Sequence, residues 1–328
     1  MIIAQTPYRI SFAGGGTDLP AFYREEPGAV LSTAIDRHMY VTVGSRFDDT
    51  IRVAYSKTEI VDSPKELQHT IVREALATVG LDRSLEITTI GDVPAGTGMG
   101  SSSSLTVALL TALYAYRGKI ASPEILASEA CNIEIDRLQS PIGRQDQYIA
   151  AYGGLQYIRF NPDDSVQVEP VPCAASTLAQ LEERLLLFYT GETRDANAIL
   201  KKQSVATEKK LETLCRMRDL AGAMREALAG HGGADLEGFG DLLHEGWELK
   251  RSIVSSISTS LVDDWYAKAR AAGARGGKLL GAGGGGFLLI FADPDRHEAI
   301  RSALGKPREL PVGLDPLGSR IIFIGKRA

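Results

Sequence analysis

The chain has 328 residues, 44% of them hydrophobic and 23% charged. That composition suits about two globular domains with a sizeable core and excludes a disordered or fibrous main state. With 36 Lys+Arg against 41 Asp+Glu the net charge is −5, which argues against a general binder of nucleic acid or of an anionic membrane.

The first sixty residues read as strands: Tyr8–Ala13 alternates apolar and polar side chains before three glycines, and Ala29–Ser32, Met39–Val43 and Ile51–Tyr55 are further strands. Ser63-Pro64 opens a helix that runs to Val79, where Gly80 stops it. Leu85–Ile90 is a strand, and Ser101–Tyr116 is a helix apolar on nearly every side, which predicts burial. Ser122 caps a helix through Ile135, and Asp146–Tyr152 is a further helix before the strand Leu155–Phe160. The region 165–183 carries no strong pattern and is a soft boundary. Beyond it come the strand Arg184–Tyr189 and a long amphipathic helix with Leu211, Leu214, Met217, Ala221, Met224 and Leu228 on one face. Helices over Phe239–Val254 and Leu261–Ala272, a strand over Gly286–Phe291 and a closing strand over Ser319–Gly325 complete the pattern. Two packed lobes mixing strands and helices follow, residues 1–170 and 171–328.

Cys131, Cys173 and Cys215 are too few and too scattered for a disulfide framework or a zinc site. No apolar run reaches the ~20 residues of a membrane span, and the N-terminus lacks a leader pattern. The expectation is a cytoplasmic protein without nucleic-acid or membrane partners, for which an oligomer is possible. The five histidines show no ligand spacing.

The 34 glycines gather in three places, Gly14–Gly16, Gly91–Gly100 and Gly276–Gly286. Clustered glycine marks backbone that turns sharply or approaches something closely. The strongest chemistry lies in Pro94-Ala95-Gly96-Thr97-Gly98-Met99-Gly100-Ser101-Ser102-Ser103-Ser104, between a strand and a buried helix. Alternating glycines leave backbone N–H groups free to point inward. The helix start adds unpaired N–H groups and a positive dipole end. The pattern predicts a phosphate site at Pro94, Gly96, Gly98, Met99, Gly100 and Ser101–Ser104. A plain serine cap would need only one serine. No lysine follows the glycines, which excludes a Walker A loop. The protein-kinase loops are missing, and the pattern for a Rossmann site is weak, because the next acidic residues fall inside the next helix rather than after a second strand.

This segment resembles the phosphate loop of the GHMP small-molecule kinases. Thr6-Pro7-Tyr8-Arg9-Ile10-Ser11-Phe12-Ala13-Gly14-Gly15-Gly16-Thr17-Asp18 is similar to that family's N-terminal motif, and Lys278-Leu279-Leu280-Gly281-Ala282-Gly283-Gly284-Gly285-Gly286-Phe287 to its C-terminal glycine motif. The resemblance spans almost the whole chain. It implies an α+β two-lobed fold, with an N-terminal lobe like ribosomal protein S5 domain 2 and a ferredoxin-like C-terminal lobe. It also implies ATP and Mg²⁺ as cofactors. Asp146, in Gly143-Arg144-Gln145-Asp146-Gln147-Tyr148, matches the segment of the catalytic aspartate. Glu134 matches the metal-binding glutamate, with Asp136 competing, and Ser102 is the serine ligand of choice ahead of Ser101. Arg9 neutralises the transferring phosphoryl group or acts on Asp146.

Within the family, Phe12–Phe22, Ile142–Tyr148 and Thr190–Arg194 resemble the bacterial heptose kinases, and L-fucokinase domains share much of the pattern. The implied reaction moves the γ-phosphoryl group of ATP to the anomeric hydroxyl of a sugar phosphate, D-glycero-D-manno-heptose 7-phosphate. The alternatives are a fucokinase-like sugar 1-kinase and an inactive nucleotide or sugar sensor. Asp18 suits a sugar diol, with Gly15, Gly16, Thr17, Gly283 and Gly284 close by. A substrate phosphate would need a cation, and Arg24, Arg144, Arg194, Lys201 and Lys202 are the candidates.

Overall fold

A computed structural model of the chain describes residues 1–192, 199–201, 210–230 and 233–325. Arg194 and Lys202 lie outside the described residues. The N-terminal alternation extends into the strand β1 (Ile2–Ala13), which the single helical turn α1 (Pro20–Tyr23) follows. The two short strands expected over 29–43 are one long strand, β2 (Gly28–Ser45), paired along β1. The polar stretch between their apolar runs hides that continuity. The register shift between Pro7 and Tyr8, opposite His38 and Ile35, absorbs the irregularity as a bulge.

The large sheet has the order β11-β1-β2-β5-β3-β4, with β3 at Ile51–Ala54, β4 at Thr58–Val61, β5 at Leu85–Gly91 and β11 at Arg320–Ile324. The first part of β2 also pairs β6 (Leu155–Phe160), which pairs β7 (Val166–Pro170). Sequence patterning misses β4 and β7, since both are short edge strands without a fully buried face. The expected division at residue 170 counts β11 with the second lobe, but β11 pairs β1 in the first.

The helix expected from residue 63 to 79 is broken. A 3₁₀ turn at Pro64–Glu66 precedes α2 (Thr70–Val79), and between them the Glu59 carboxylate accepts from the N–H groups of Gln68 (2.6 Å) and His69 (3.1 Å). One face of the sheet carries α2, α3 (Ser101–Tyr116), α4 (Pro123–Cys131) and α5 (Gln145–Tyr152) around a single apolar core.

Against the other face, Tyr8, Ile10 and Phe12 of β1 pack with α7 (Leu211–Ala229) and α8 (Leu236–Ile253). The same core reaches the second sheet, of order β8-β10-β9, with β8 at Leu185–Tyr189, β9 at Gly276–Leu279 and β10 at Phe287–Phe291. A one-residue bridge between Phe188 and Glu309 adds a fourth edge, beside β8. Taken in chain order these four stand as 4-1-3-2, the ferredoxin-like arrangement. A third core fills the far side of this sheet under α9 (Ser260–Ala271) and α10 (His297–Ala303). The helix α6 (Ala175–Glu183) occupies the patternless boundary, burying only Leu181. No helix among the described residues is long and apolar enough to cross a membrane.

Candidate active site

Period-two alternation on β1 decides where its polar residues go. Tyr8, Ile10 and Phe12 enter the inter-lobe core, while Arg9 and Ser11 line a cavity of about 310 Å³ between the lobes. Arg9 is only 4% exposed. Its Nε and Nη2 each donate to the Asp146 carboxylate at 2.7 Å, and its Nη1 donates to the Gly98 carbonyl at 2.5 Å. Such a two-point pair fixes both orientation and charge. One guanidinium thus joins β1, the first turn of α5 and the central glycine loop.

Gly96, Gly98, Gly100, Ser101, Ser102 and Ser103 face the same cavity. Gly100 is the N-cap of α3, and a Cβ placed on it would lie 3.3 Å from Asp146 Oδ2, so the aspartate sits against the loop. Pro94, Met99 and Ser104, also in the expected set, are not among the residues that line this cavity, and each makes a contact within the fold. The Pro94 carbonyl accepts from Thr97 Oγ1 at 2.9 Å, the Met99 carbonyl from Arg9 N at 3.2 Å, and Ser104 Oγ donates to Pro7 O at 2.8 Å.

Past Cys131 the expected α-helix widens into a π-helical segment, Asn132–Arg137. Such a turn changes which residues face inward, and it recurs at functional sites. Glu134 is 1% exposed, while Asp136 faces solvent. Ser102 Oγ donates to Glu134 Oε1 at 2.5 Å and Gln147 Nε2 to Oε2 at 2.8 Å. Burial pushes the Glu134 pKa up, these hydrogen bonds oppose that, and Asp146 adds to it. No basic side chain among the described residues lies within 4 Å of Glu134. A buried carboxylate without a counter-charge, beside a serine hydroxyl and the Asp146 charge, is an oxygen donor set that fits Mg²⁺.

Gly15, Gly16 and Asp18 line the cavity across from the loop. Asp18 is 3% exposed, accepting from Gly16 N (2.8 Å), Gln145 Nε2 (3.0 Å) and Gln145 N (3.3 Å). Burial holds its pKa up, against the pull of the Gly16 N–H. Thr17 is a correction: its hydroxyl is spent within the fold, on Gly14 O (2.8 Å) of the same turn and Ala29 O (3.0 Å) of β2. Gly283 lines the cavity, whereas Gly284 donates its N–H to Ile257 O at 2.9 Å.

Arg144 is also placed elsewhere. Its Nη1 donates to Asp164 O at 2.8 Å, its Nη2 lies 3.2 Å from Asp164 Oδ1, and its guanidinium sits 5.1 Å from the centre of the Tyr23 ring. Arg24 pairs with the same aspartate at the surface, and Lys201 is exposed. Instead, two lysines that sequence reasoning passed over, Lys250 of α8 and Lys278 of β9, line the cavity at 5% and 6% exposure. For Lys250 a signal existed. It continues the buried stripe Leu236, Phe239, Leu243, Trp247 of its helix, a position where a charge is rare without a task.

The chain belongs to the GHMP kinases: the family descriptions for the GHMP kinases N terminal domain and the GHMP kinases C terminal match residues 67–154 and 208–309. It is a phosphotransferase of that family. It is 31% identical to the D-glycero-alpha-D-manno-heptose 7-phosphate kinase of Campylobacter jejuni, over 93% of each chain. It is 28% identical to the bifunctional fucokinase/GDP-fucose pyrophosphorylase of Arabidopsis thaliana, over 94% of this chain and 31% of that one. Among solved structures, a D-glycero-D-manno-heptose 1-phosphate kinase from Bacteroides thetaiotaomicron superposes with a TM-score of 0.82 at 25% identity, over 99% of this chain and 100% of that one.

Proposed function

We propose that the protein is an ATP-dependent sugar kinase that phosphorylates the anomeric hydroxyl of a sugar phosphate, D-glycero-D-manno-heptose 7-phosphate, to give the 1,7-bisphosphate. The observation that carries this reading is the Asp146 carboxylate, held on two points by Arg9 and set against the glycine loop at the start of α3. The loop amides and the helix end receive the nucleotide's phosphates. Asp18 accepts hydrogen bonds from sugar hydroxyls and fixes the ring. Asp146 accepts the hydrogen bond of the anomeric O–H and aims its oxygen at the γ-phosphorus. As the new O–P bond forms and the bond to the β–γ bridging oxygen breaks, the hydroxyl proton passes to Asp146 and ADP leaves. Arg9 keeps Asp146 oriented and offsets negative charge at the transfer point. Ser102 and Glu134 would hold Mg²⁺, which supplies charge neutralisation on the phosphates.

A second reading has one observation in its favour. Arg24 and Arg144, proposed from sequence to grip a substrate phosphate, are both engaged with Asp164, as an unphosphorylated sugar would allow. The test is ATP consumption with heptose 7-phosphate, sedoheptulose 7-phosphate, fucose, galactose and mannose, followed by phosphorus NMR of the product. The first should give the highest kcat/KM, with new phosphate on the anomeric carbon. Asp146→Asn should abolish turnover and keep ATP binding. Phosphate on a primary hydroxyl, or undiminished turnover in the variant, overturns the proposal.

A further inference from the structure

We propose that Lys250 and Lys278, together with the Ser11 hydroxyl, form the hydrogen-bond-donating half of the acceptor-sugar site, facing Asp18 as its accepting half. The inference rests on the sugar-kinase reading above and adds to it the groups that recognise the sugar.

Three observations lead there. First, both ammonium groups are buried yet underused. Lys250 Nζ donates to Gly281 O at 2.5 Å and Lys278 Nζ to Phe12 O at 3.1 Å. No carboxylate among the described residues lies within ion-pair distance of either. A lysine nitrogen carries three N–H donors when charged and two when neutral, so each lysine retains at least one. Second, Ser11, 6% exposed, has a buried hydroxyl without a partner among the described residues. Third, all three groups and Asp18 line one cavity. Buried donors without mates are costly unless a ligand completes them.

The ligand must therefore be dense in oxygen and must both donate and accept. Sugar hydroxyls do so: each can give its proton to Asp18 and receive one from a lysine. Arg9 does not compete for this task, because two of its nitrogens are committed to Asp146 and a third to Gly98 O. The lysines also come from the second lobe, while Asp18 and Ser11 come from the first. A bound sugar would thus be gripped by both lobes at once.

The test uses Lys250→Met and Lys278→Met, which keep most of the side-chain volume, with Lys250→Gln and Lys278→Gln as second variants. Calorimetry on the whole protein without nucleotide measures binding of the best acceptor from the panel and of its monodeoxy analogues. A non-hydrolysable ATP analogue is measured in parallel. The expected result is at least a tenfold rise in acceptor Kd for each variant, with the nucleotide Kd within twofold of wild type. For one deoxy analogue, removing both the hydroxyl and the lysine should cost no more than removing either alone.

Acceptor binding that survives in all four variants overturns the inference and leaves the kinase reading standing. So does a loss confined to the nucleotide analogue, since the lysines would then serve the transferred phosphoryl group. Wild-type protein that binds no sugar in the panel overturns the kinase reading, and this inference with it.

Discussion

Gly98→Ala and Gly96→Ala make a matched pair for testing how the two glycine loops fit together. Both glycines sit in the left-handed region, φ +81° and +77°. An alanine there costs about 1–2 kcal/mol on backbone grounds alone. Their surroundings differ. A Cβ on Gly96 meets nothing within 4 Å, whereas one on Gly98 would lie 2.4 Å from the Leu280 carbonyl oxygen and 2.8 Å from its carbon. Real Cβ atoms keep at least 3.0 Å from such neighbours, so the loops must part by about 0.6 Å or more. Forcing backbone apart in a packed interior adds about 1–3 kcal/mol. Gly98→Ala should therefore lose about 2–5 kcal/mol in urea unfolding, and Gly96→Ala about 1–2 kcal/mol. Gly98 also presents its carbonyl to Arg9 Nη1, so the displacement passes to Asp146. A misplacement approaching 1 Å costs up to about 100-fold in rate, and kcat of Gly98→Ala should fall by about that factor. Coincident urea midpoints for the two variants would refute the contact between the loops as the reason for glycine at 98.

Glu134→Gln should weaken Mg²⁺ binding, measured by calorimetry, yet raise stability at neutral pH by about 1 kcal/mol. Gln147 can turn its amide over, so that its Oε1, now without a partner, accepts from the new amide. The sign follows from the raised pKa of Glu134. Without metal, wild-type stability rises as pH falls through the raised value toward the ordinary one, because the folded state binds the extra proton. Thermal unfolding across that window should show the rise in wild type and lose it in the variant. Lys250 is pulled down to about 8 by burial and by Arg9, against Asp18 and Asp146, and burial, Lys250 and Arg9 hold Lys278 well below the ordinary lysine range. Acceptor kcat/KM, which reports the free enzyme, should fall as pH rises through about 8, and that limb should vanish in Lys250→Met. Stability moves the other way: between about 8 and 10.5 the unfolded chain holds the proton more tightly, so wild-type stability rises with pH.

What could be read from the sequence was what is local. The Gly96–Gly100 turn, its serine-rich helix start and the strand before it are written in contiguous residues. Asp146 and Glu134 stand in short segments whose resemblance to the family is specific. What escaped depends on partners distant in the chain. Lys278 lies between a glycine and a leucine in a strand read as loop, and only pairing with β10 reveals that strand and buries it. Thr17 looked like a ligand because it precedes Asp18, but its hydroxyl meets Ala29, across the fold from the turn itself. Arg144 stands two residues before Asp146 and still points to Asp164, since the α5 N-terminus turns between them. The helical segment at 132–137 shows the same limit: period and caps predict a helix, but not the wider π turn that buries Glu134 and exposes Asp136.

The pairing of β11 with Ile2–Gln5 has a consequence for how the molecule is made. The neighbour that closes the outer edge of the strand carrying Arg9 emerges from the ribosome more than 300 residues after it. At about 5–20 residues per second that is a wait of roughly 15–60 s, during which a bare strand edge is open to wrong partners. Closure of the large sheet is therefore a late event in the birth of the chain. A nascent chain halted before residue 320 would carry the whole glycine loop and still lack the strand that seals the sheet behind it.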